Sequence, residues 1–354
     1  MGAFDEAVRR LRPVDREAAG LAAERLDRLT KPPGSLGRIE AAAVQLAAIA
    51  RCCPPPVPEP AVVTVFAGDH GVLVQGVSPW PAEVTAQMVG NFVAGGAAVN
   101  VLARHVGAGV QVVDVGVAAE LPDAPNLRRA KVRAGTADLS VEPAMSRGEA
   151  CQALDLGAVV AAESVAGGAG CLLTGDMGIG NTTPSAALVA AFTGAPAHEV
   201  TGRGTGIDDE RLARKVAVVE RGLARTGTAG SAGAIDVLAS VGGLEIAALV
   251  GYIVGGSAAG VPVLLDGVIA VAAAVTAVAL TPHCAGYLVA GHRSSEPGAT
   301  IGLRHLGLVP LLDLDLRLGE GTGACLALPV LQAAAKVLAE MATFDDAGVT
   351  DEHE

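Results

Sequence analysis

Aromatic side chains are scarce in this chain: one Trp, two Tyr and five Phe among 354 residues. A core with so few rings must be filled by Ala, Val and Leu, and 51% of the sequence is apolar. No basic run interleaved with the few aromatics is present. Acids outnumber bases 37 to 25, a formal net charge of −12, so nucleic acid is not an expected partner. The six cysteines show no C-x-x-C spacing. They read as reduced thiols of a cytoplasmic protein rather than as a metal or disulfide framework.

Long charge-free runs are also rare. Residues 1–19 are charged and helical in pattern, with no apolar stretch of signal-peptide type. The one span of bilayer length, Ile246–Leu265, is rich in Gly and Ala and contains Pro262. It reads as a buried helix, a glycine-rich turn and a buried strand, so no membrane association is expected.

Glycine, by contrast, is abundant, with 46 residues spread among apolar segments. Short apolar runs end in Gly or Asp at Val62–Phe66, Val110–Val113, Cys171–Leu173, Val263–Leu265, Cys284–Val289 and Val309–Leu312. Runs without alternation fit strands covered on both faces. Between them lie helical patterns at Val84–Arg104, Arg147–Ala166, Pro184–Phe192, Glu210–Ala224, Ile235–Tyr252 and Val268–Val278. Alternating strand and helix predicts an α/β fold with a mainly parallel sheet flanked by helices, and ligands beyond the carboxyl ends of the strands. Residues 1–55 and 326–345 read as helices of a small subdomain around an α/β domain at 61–325, with 346–354 as a frayed acidic tail.

Three glycine-rich segments carry chemistry. In TGDMGIGNTTPSAAL (174–188), Gly175, Gly178 and Gly180 permit a tight turn, Thr183 is a candidate N-cap and Pro184 suits a first helical turn. A glycine loop opening a helix is an anion site, because free amides and the helix dipole point at the ligand. In TGRGTGIDDERLARK (201–215), Gly204, Thr205 and Gly206 offer further phosphate contacts. Asp208 or Asp209 there caps a helix, with Lys215 about two turns on. In LGEGTGA (318–324), Glu320 projects from between glycines, as either a general base or a favourable acid at a helix start. No segment matches G-x-x-x-x-G-K-[ST], which argues against nucleoside-triphosphate hydrolysis.

Other segments are less decisive. GVSPWPAEVTAQMVGNF (76–92) holds the sole tryptophan and a helix presenting Val84, Gln87, Met88 and Asn91, either core or a wall for a flat apolar ring. His70, His283 and His292 with Asp69 fit no metal-ligand spacing, so no metal is expected. Ser294 and Ser295 suit hydrogen bonding in a ligand loop, since no G-x-S-x-G elbow surrounds them.

Taken together, LTKPPGSLGRIE (29–40), FAGDHGV (66–72), GVSPWPAEVTAQMV (76–89), GDMGIGNTTPSAAL (175–188), GRGTGID (202–208), GGLEI (242–246), LLDG (264–267), HRSSEPG (292–298) and LRLGEGTGA (316–324) resemble the nicotinate-nucleotide:dimethylbenzimidazole phosphoribosyltransferases. The segments occur in family order over nearly the whole chain. The resemblance implies transfer of a phosphoribosyl group from nicotinate mononucleotide to 5,6-dimethylbenzimidazole for the nucleotide loop of cobalamin. It implies a homodimer, a Rossmann-like domain and a small helical domain from both termini, with no cofactor. It makes Glu320 the base and Asp176 a supporting acid. It draws the benzimidazole pocket from Ser78, Trp80, Gln87, Met88 and Leu318. Its nucleotide and phosphate contacts are Gly178, Gly180, Asn181, Thr182, Gly204, Thr205, Gly206, Lys215, Asp266 and Ser294. One position departs from the pattern: the family usually has Glu where this chain has Asp176. The chemistry needs one carboxylate, because the pyridinium leaves without a proton while the attacking benzimidazole loses one.

Overall fold

The computed structural model describes residues 2–226 and 233–350. Its centre is a six-stranded sheet of β1 (Ala61–Gly68), β2 (Gly109–Gly116), β3 (Leu127–Arg129), β4 (Cys171–Met177), β5 (Val263–Leu265) and β6 (Leu288–Ala290). The order is β3-β2-β1-β4-β5-β6 and every pair is parallel. Val63 stands opposite Val110 on one side and Leu173 on the other.

Both faces are covered, as the unbroken apolar runs require. Phe66, Val113, Leu172, Val263 and Leu288 share one buried cluster with residues of the helices Arg147–Ala166, Leu244–Ala259 and Val268–Leu280. Val63, Val65, Val112, Leu173, Leu264 and Val289 face a second cluster with the helices Arg16–Asp27, Arg38–Ala50, Glu83–Ala94 and Thr322–Glu340. The first helix, Ala3–Arg10, packs on Arg147–Ala166 and Leu244–Ala259, while Arg16–Asp27 and Arg38–Ala50 pack with Thr322–Glu340.

Small residues make the tightest contact. A Cβ on Gly157 would strike the Ala248 carbonyl, and one on Gly251 would strike the Leu154 carbonyl. The helices Arg147–Ala166 and Leu244–Ala259 therefore touch backbone to backbone. This accounts for the glycine and alanine in Ile246–Leu265, which folds as expected into a buried helix, a turn at Gly260 and strand β5. Among the described residues, two stretches, Glu83–Val106 and Thr322–Glu340, are long and apolar enough to cross a bilayer. The first is broken at Gly95, and the second lies against the sheet.

Several local expectations are corrected. Val84–Arg104 is two helices, Glu83–Ala94 and Ala98–Val106, because Gly95 ends the first in the left-handed region (φ 78°). The Asn100 side chain then accepts the Ala97 amide at the start of the second (3.2 Å). Ile235–Tyr252 likewise divides at Gly242–Gly243. Cys284–Val289 is a 3-10 turn (Pro282–Tyr287) followed by β6. Val309–Leu312 forms only a bridge between Leu312 and His292, since Pro310 has no amide to donate. Strand β3 escapes notice in the sequence because Leu127–Arg129 is short and charged. Of the tail expected at 346–354, Asp346 and Ala347 belong to a short helix, Phe344–Ala347, which Thr343 caps and whose Phe344 amide donates to the Arg28 carbonyl (3.0 Å). Residues 351–354 lie outside the described residues.

Candidate active site

In a doubly wound sheet the crevice opens where the strand order reverses, here between β1 and β4. A cavity of about 440 Å³ lies at that edge, and five segments line it. They are Val77–Trp80 with Val84 and Met88, Asp176–Thr182, Arg203–Thr205 with Ile207 and Lys215, Gly267–Ile269 with His292, Ser294 and Glu296, and Arg317–Glu320.

Glu320 stands on a strained loop. Gly319, Glu320 and Gly321 all have positive φ (85°, 65° and 102°) before the helix Thr322–Glu340 begins. The left-handed region costs a non-glycine residue about 1 kcal/mol or more, so the surroundings must enforce it. Asp266 does so: its carboxylate accepts the amides of Gly321 (3.1 Å), Gly323 (2.7 Å) and Ala324 (3.0 Å). The Thr322 hydroxyl donates to the Gly319 carbonyl (2.8 Å). Neighbouring glycines make room, since a Cβ on Gly175 would lie 2.5 Å from the Glu320 carbonyl oxygen. Gly175 therefore sits within β4 to admit this loop, not to turn the chain.

The Glu320 side chain is buried, and its Oε2 accepts the Val99 amide at 3.3 Å. Burial holds its carboxyl above the usual glutamate range; the Val99 amide opposes this and the Asp266 charge adds to it. Asp176 sits at the end of β4. Its Oδ2 accepts from the Asn181 amide group (2.9 Å), while its Oδ1 is buried without a partner. Burial first, then the charges of Asp266, Glu245 and Glu320, push this carboxyl well up, against the Asn181 hydrogen bond.

The helix Thr182–Thr193 begins at the cavity with no side-chain cap. Thr183 is not the cap; its hydroxyl is buried in the first turn without a partner. Gly178 is needed where a Cβ would strike the Gly68 carbonyl, and Gly180 takes φ 91°. Beside this helix end, the buried Lys215 ammonium donates to Thr182 Oγ1 (2.7 Å) and to the Gly202 carbonyl (3.1 Å). Burial pulls its pKa down to about 8, with Glu296 opposing. Glu296 Oε1 accepts the Gly204 amide at 2.7 Å. An open helix end beside a buried ammonium can hold one phosphate. As for the two acids of the following helix, Asp208 accepts the Arg211 amide (2.8 Å), an ordinary cap.

The opposite part of the cavity is apolar. Val84, Met88 and Leu318 line it with Ser78 and Trp80, and Leu318 is 55% exposed at the mouth. The Trp80 indole N–H donates to Thr205 Oγ1 (3.1 Å), joining two walls. Three expected residues stand apart from the lining. Gln87 is exposed, because it lies a helical step away from the Val84–Met88 face. Gly206 serves the loop through φ 113°, and Asp266 lies behind Glu320 with its carboxylate occupied by amides.

Sequence reasoning passed over Glu245 and Glu296. Glu245 pairs with His70 (2.8 Å), both buried beneath the Gly178 turn. Glu296 is the acid directly before Pro297 at a helix start, the one signal that marked it. Among the described residues, no three His, Cys, Asp or Glu side chains gather as metal ligands.

Comparison with known proteins identifies the family of the chain. A family model described as phosphoribosyltransferase matches residues 11–349. The nicotinate-nucleotide–dimethylbenzimidazole phosphoribosyltransferase of Salinispora tropica is 58% identical over 351 residues, covering 95% of this chain and 96% of the relative. That of Chloroflexus aggregans is 54% identical with both chains covered in full. The crystal structure of the Thermus thermophilus enzyme of that name superposes with a TM-score of 0.91 at 49% identity, covering 95% of this chain and 99% of that one. With its doubly wound sheet, its uncapped helix beside a buried lysine and its glutamate on a strained loop, the chain belongs to the nicotinate-nucleotide–dimethylbenzimidazole phosphoribosyltransferase family and is a phosphoribosyl-transferring enzyme.

Proposed function

We propose that the chain transfers the phosphoribosyl group of nicotinate mononucleotide to 5,6-dimethylbenzimidazole. The products are nicotinate and α-ribazole 5′-phosphate, with inversion at C1′, for the nucleotide loop of cobalamin. The observation that carries this reading is the placement of Glu320. It shares one cavity with the open helix end at Thr182 and with the apolar wall at Met88 and Leu318. The names of relatives covered almost end to end support the substrates.

In this reading the 5′-phosphate rests on Gly178–Thr182, Gly204–Gly206 and the Lys215 ammonium. The benzimidazole lies against Ser78, Trp80, Met88 and Leu318, with the exposed Gln87 at most reaching over from the rim. One ring nitrogen attacks C1′ as the C1′–pyridinium bond breaks, its electron pair returning to nicotinate. Attack opposite the leaving group turns a β-bond into an α-bond. Glu320 takes the proton from the second ring nitrogen, and a carboxylate whose pKa is raised by burial suits that exchange. Asp176, one methylene shorter than the family's usual glutamate, supports from the side with its unpaired Oδ1. Ser294, which lines the cavity, completes the nucleotide side, while Asp266, expected there, instead holds the Glu320 loop through its amides. The enzyme acts as a cytoplasmic homodimer without a cofactor or a metal.

Nicotinate release, followed with and without dimethylbenzimidazole, tests the proposal. Glu320→Ala is expected to lose about a hundred- to ten-thousandfold in turnover while still binding nucleotide. Full turnover in that variant would remove Glu320 as the base. Binding of nucleotide by the unaltered enzyme without acceptor-dependent release would make the chain a binding module instead.

A further inference from the structure

His292 is a buried, cavity-bordering group that the reaction above does not use. It is 3% exposed and borders the cavity, and its Nε2 lies 3.6 Å from Asp266 Oδ1. Its Nδ1 is buried without a partner. The imidazole packs against the first turn of the helix Thr322–Glu340, where a Cβ on Gly323 would run into the ring. Asp266, in turn, spends its carboxylate on three amides, and all three belong to the Glu320 loop and the turn that follows it. The chain of contact therefore runs from imidazole to carboxylate to the loop that carries the base.

We propose that His292 is a positioning residue: acting through Asp266, it fixes both the place and the charge surroundings of the Glu320 carboxylate. This rests on the reading of Glu320 as the base. Asp266 is a buried anion close to two other carboxyls, those of Glu320 and Asp176. An imidazolium at ion-pair distance offsets that charge. Without it, the uncompensated Asp266 charge discourages ionisation of Glu320, and the carboxylate loses a neighbour that helps fix its position against the loop. The groups facing the imidazole are Asp266 at the end of β5 and, further off, Asp313, which is paired with Arg293 (3.0 Å). Burial alone would lower the imidazole's pKa; Asp266, with the Arg293 backbone and Asp313, turns the balance upward. Those facing Glu320 are Asp266, Asp176 and the Val99 amide.

The test is the pH profile of acceptor-dependent nicotinate release by His292→Gln, with Asp266→Asn and the double variant alongside. The expected result for His292→Gln is a lower kcat, a nucleotide KM within about twofold of the parent, and an acid limb moved to higher pH. Its turnover at pH 6 relative to pH 8 then falls about three- to tenfold below the parent's ratio. Adding Asp266→Asn moves the limb back toward the parent, because the uncompensated charge is gone. If His292→Gln does not fold, Gly323→Ala, which displaces the ring while keeping both partners, is expected to move the limb the same way. A limb that stays in place, or moves to lower pH, in whichever of these folds overturns the proposal. Glu320→Gln separates the two readings: if it keeps turnover, the base assignment itself fails. If it is inactive while the His292→Gln profile keeps its shape, only the role of His292 fails.

Discussion

Lys215 concentrates much of the site's residue-scale logic. A lysine sealed in the interior is pushed toward its neutral form, and here burial brings its pKa down to about 8. The free enzyme therefore loses the ammonium as pH rises through that value, while a bound phosphate dianion restores it. The nucleotide KM is expected to climb between pH 7.5 and 9.5 with kcat changing less, and Lys215→Met should raise KM and flatten the climb. Initial rates across that range check it. Residue identity was legible here: a lysine two turns into a helix after a glycine loop invites a phosphate contact. Its burial was not legible, because that depends on Thr182 and Gly202 closing over it from elsewhere in the chain. Asp176 shows the same limit. Its shortness was plain in the sequence, but the Asn181 hydrogen bond and the unpaired Oδ1 arise from how β4 meets the next helix.

Among the elements, loops and helix starts supply most of the cavity wall, and the parallel strands bring them to one edge of the sheet. The loop holding Thr205 is tied to the acceptor wall by Trp80 and to the Glu320 segment by Arg317, whose Nη1 donates to the Gly204 carbonyl (3.2 Å). In the proposed reading, the donor and acceptor sides are thus joined at one place. Trp80 is the sole tryptophan and 51% exposed, so it reports on that joint. Saturating nicotinate mononucleotide is expected to change its emission intensity or wavelength, and Thr205→Val to reduce that change. An emission spectrum indifferent to both substrates would show the joint to be silent. Sequence periodicity placed most helices within a few residues, because an apolar face repeats locally. It missed the breaks at Gly95 and Gly242, where a glycine ends one helix and tertiary packing redirects the next. It also extended the anion loop back to Thr174, although Thr174–Met177 is paired strand.

At the scale of the whole molecule, stability rests on close backbone contact rather than on large side chains. Gly251 faces the Leu154 carbonyl of the neighbouring helix, so Gly251→Ala must push two core helices apart. A loss of about 3 kcal/mol is expected, seen as a lower urea midpoint with little change in slope. Gly20→Ala is the control: its position is exposed and open on the helix Arg16–Asp27, and it should be neutral or stabilising by about 0.5–1 kcal/mol. By itself the sequence determined the α/β class, the strands that end in Gly or Asp, the glycine loops and the singular Glu320. Each of these is a local pattern, written in neighbouring residues and in the backbone freedom of glycine. Only the tertiary structure decided that Asp266 would seize three amides of the Glu320 loop, that His292 would stand behind it, and that Gln87 would point away. The first two are meetings between β5, the segment after β6 and a helix far along the chain, and the third is set by which face of the helix Glu83–Ala94 packs inward; sheet order and packing fix all three, and no local pattern encodes them.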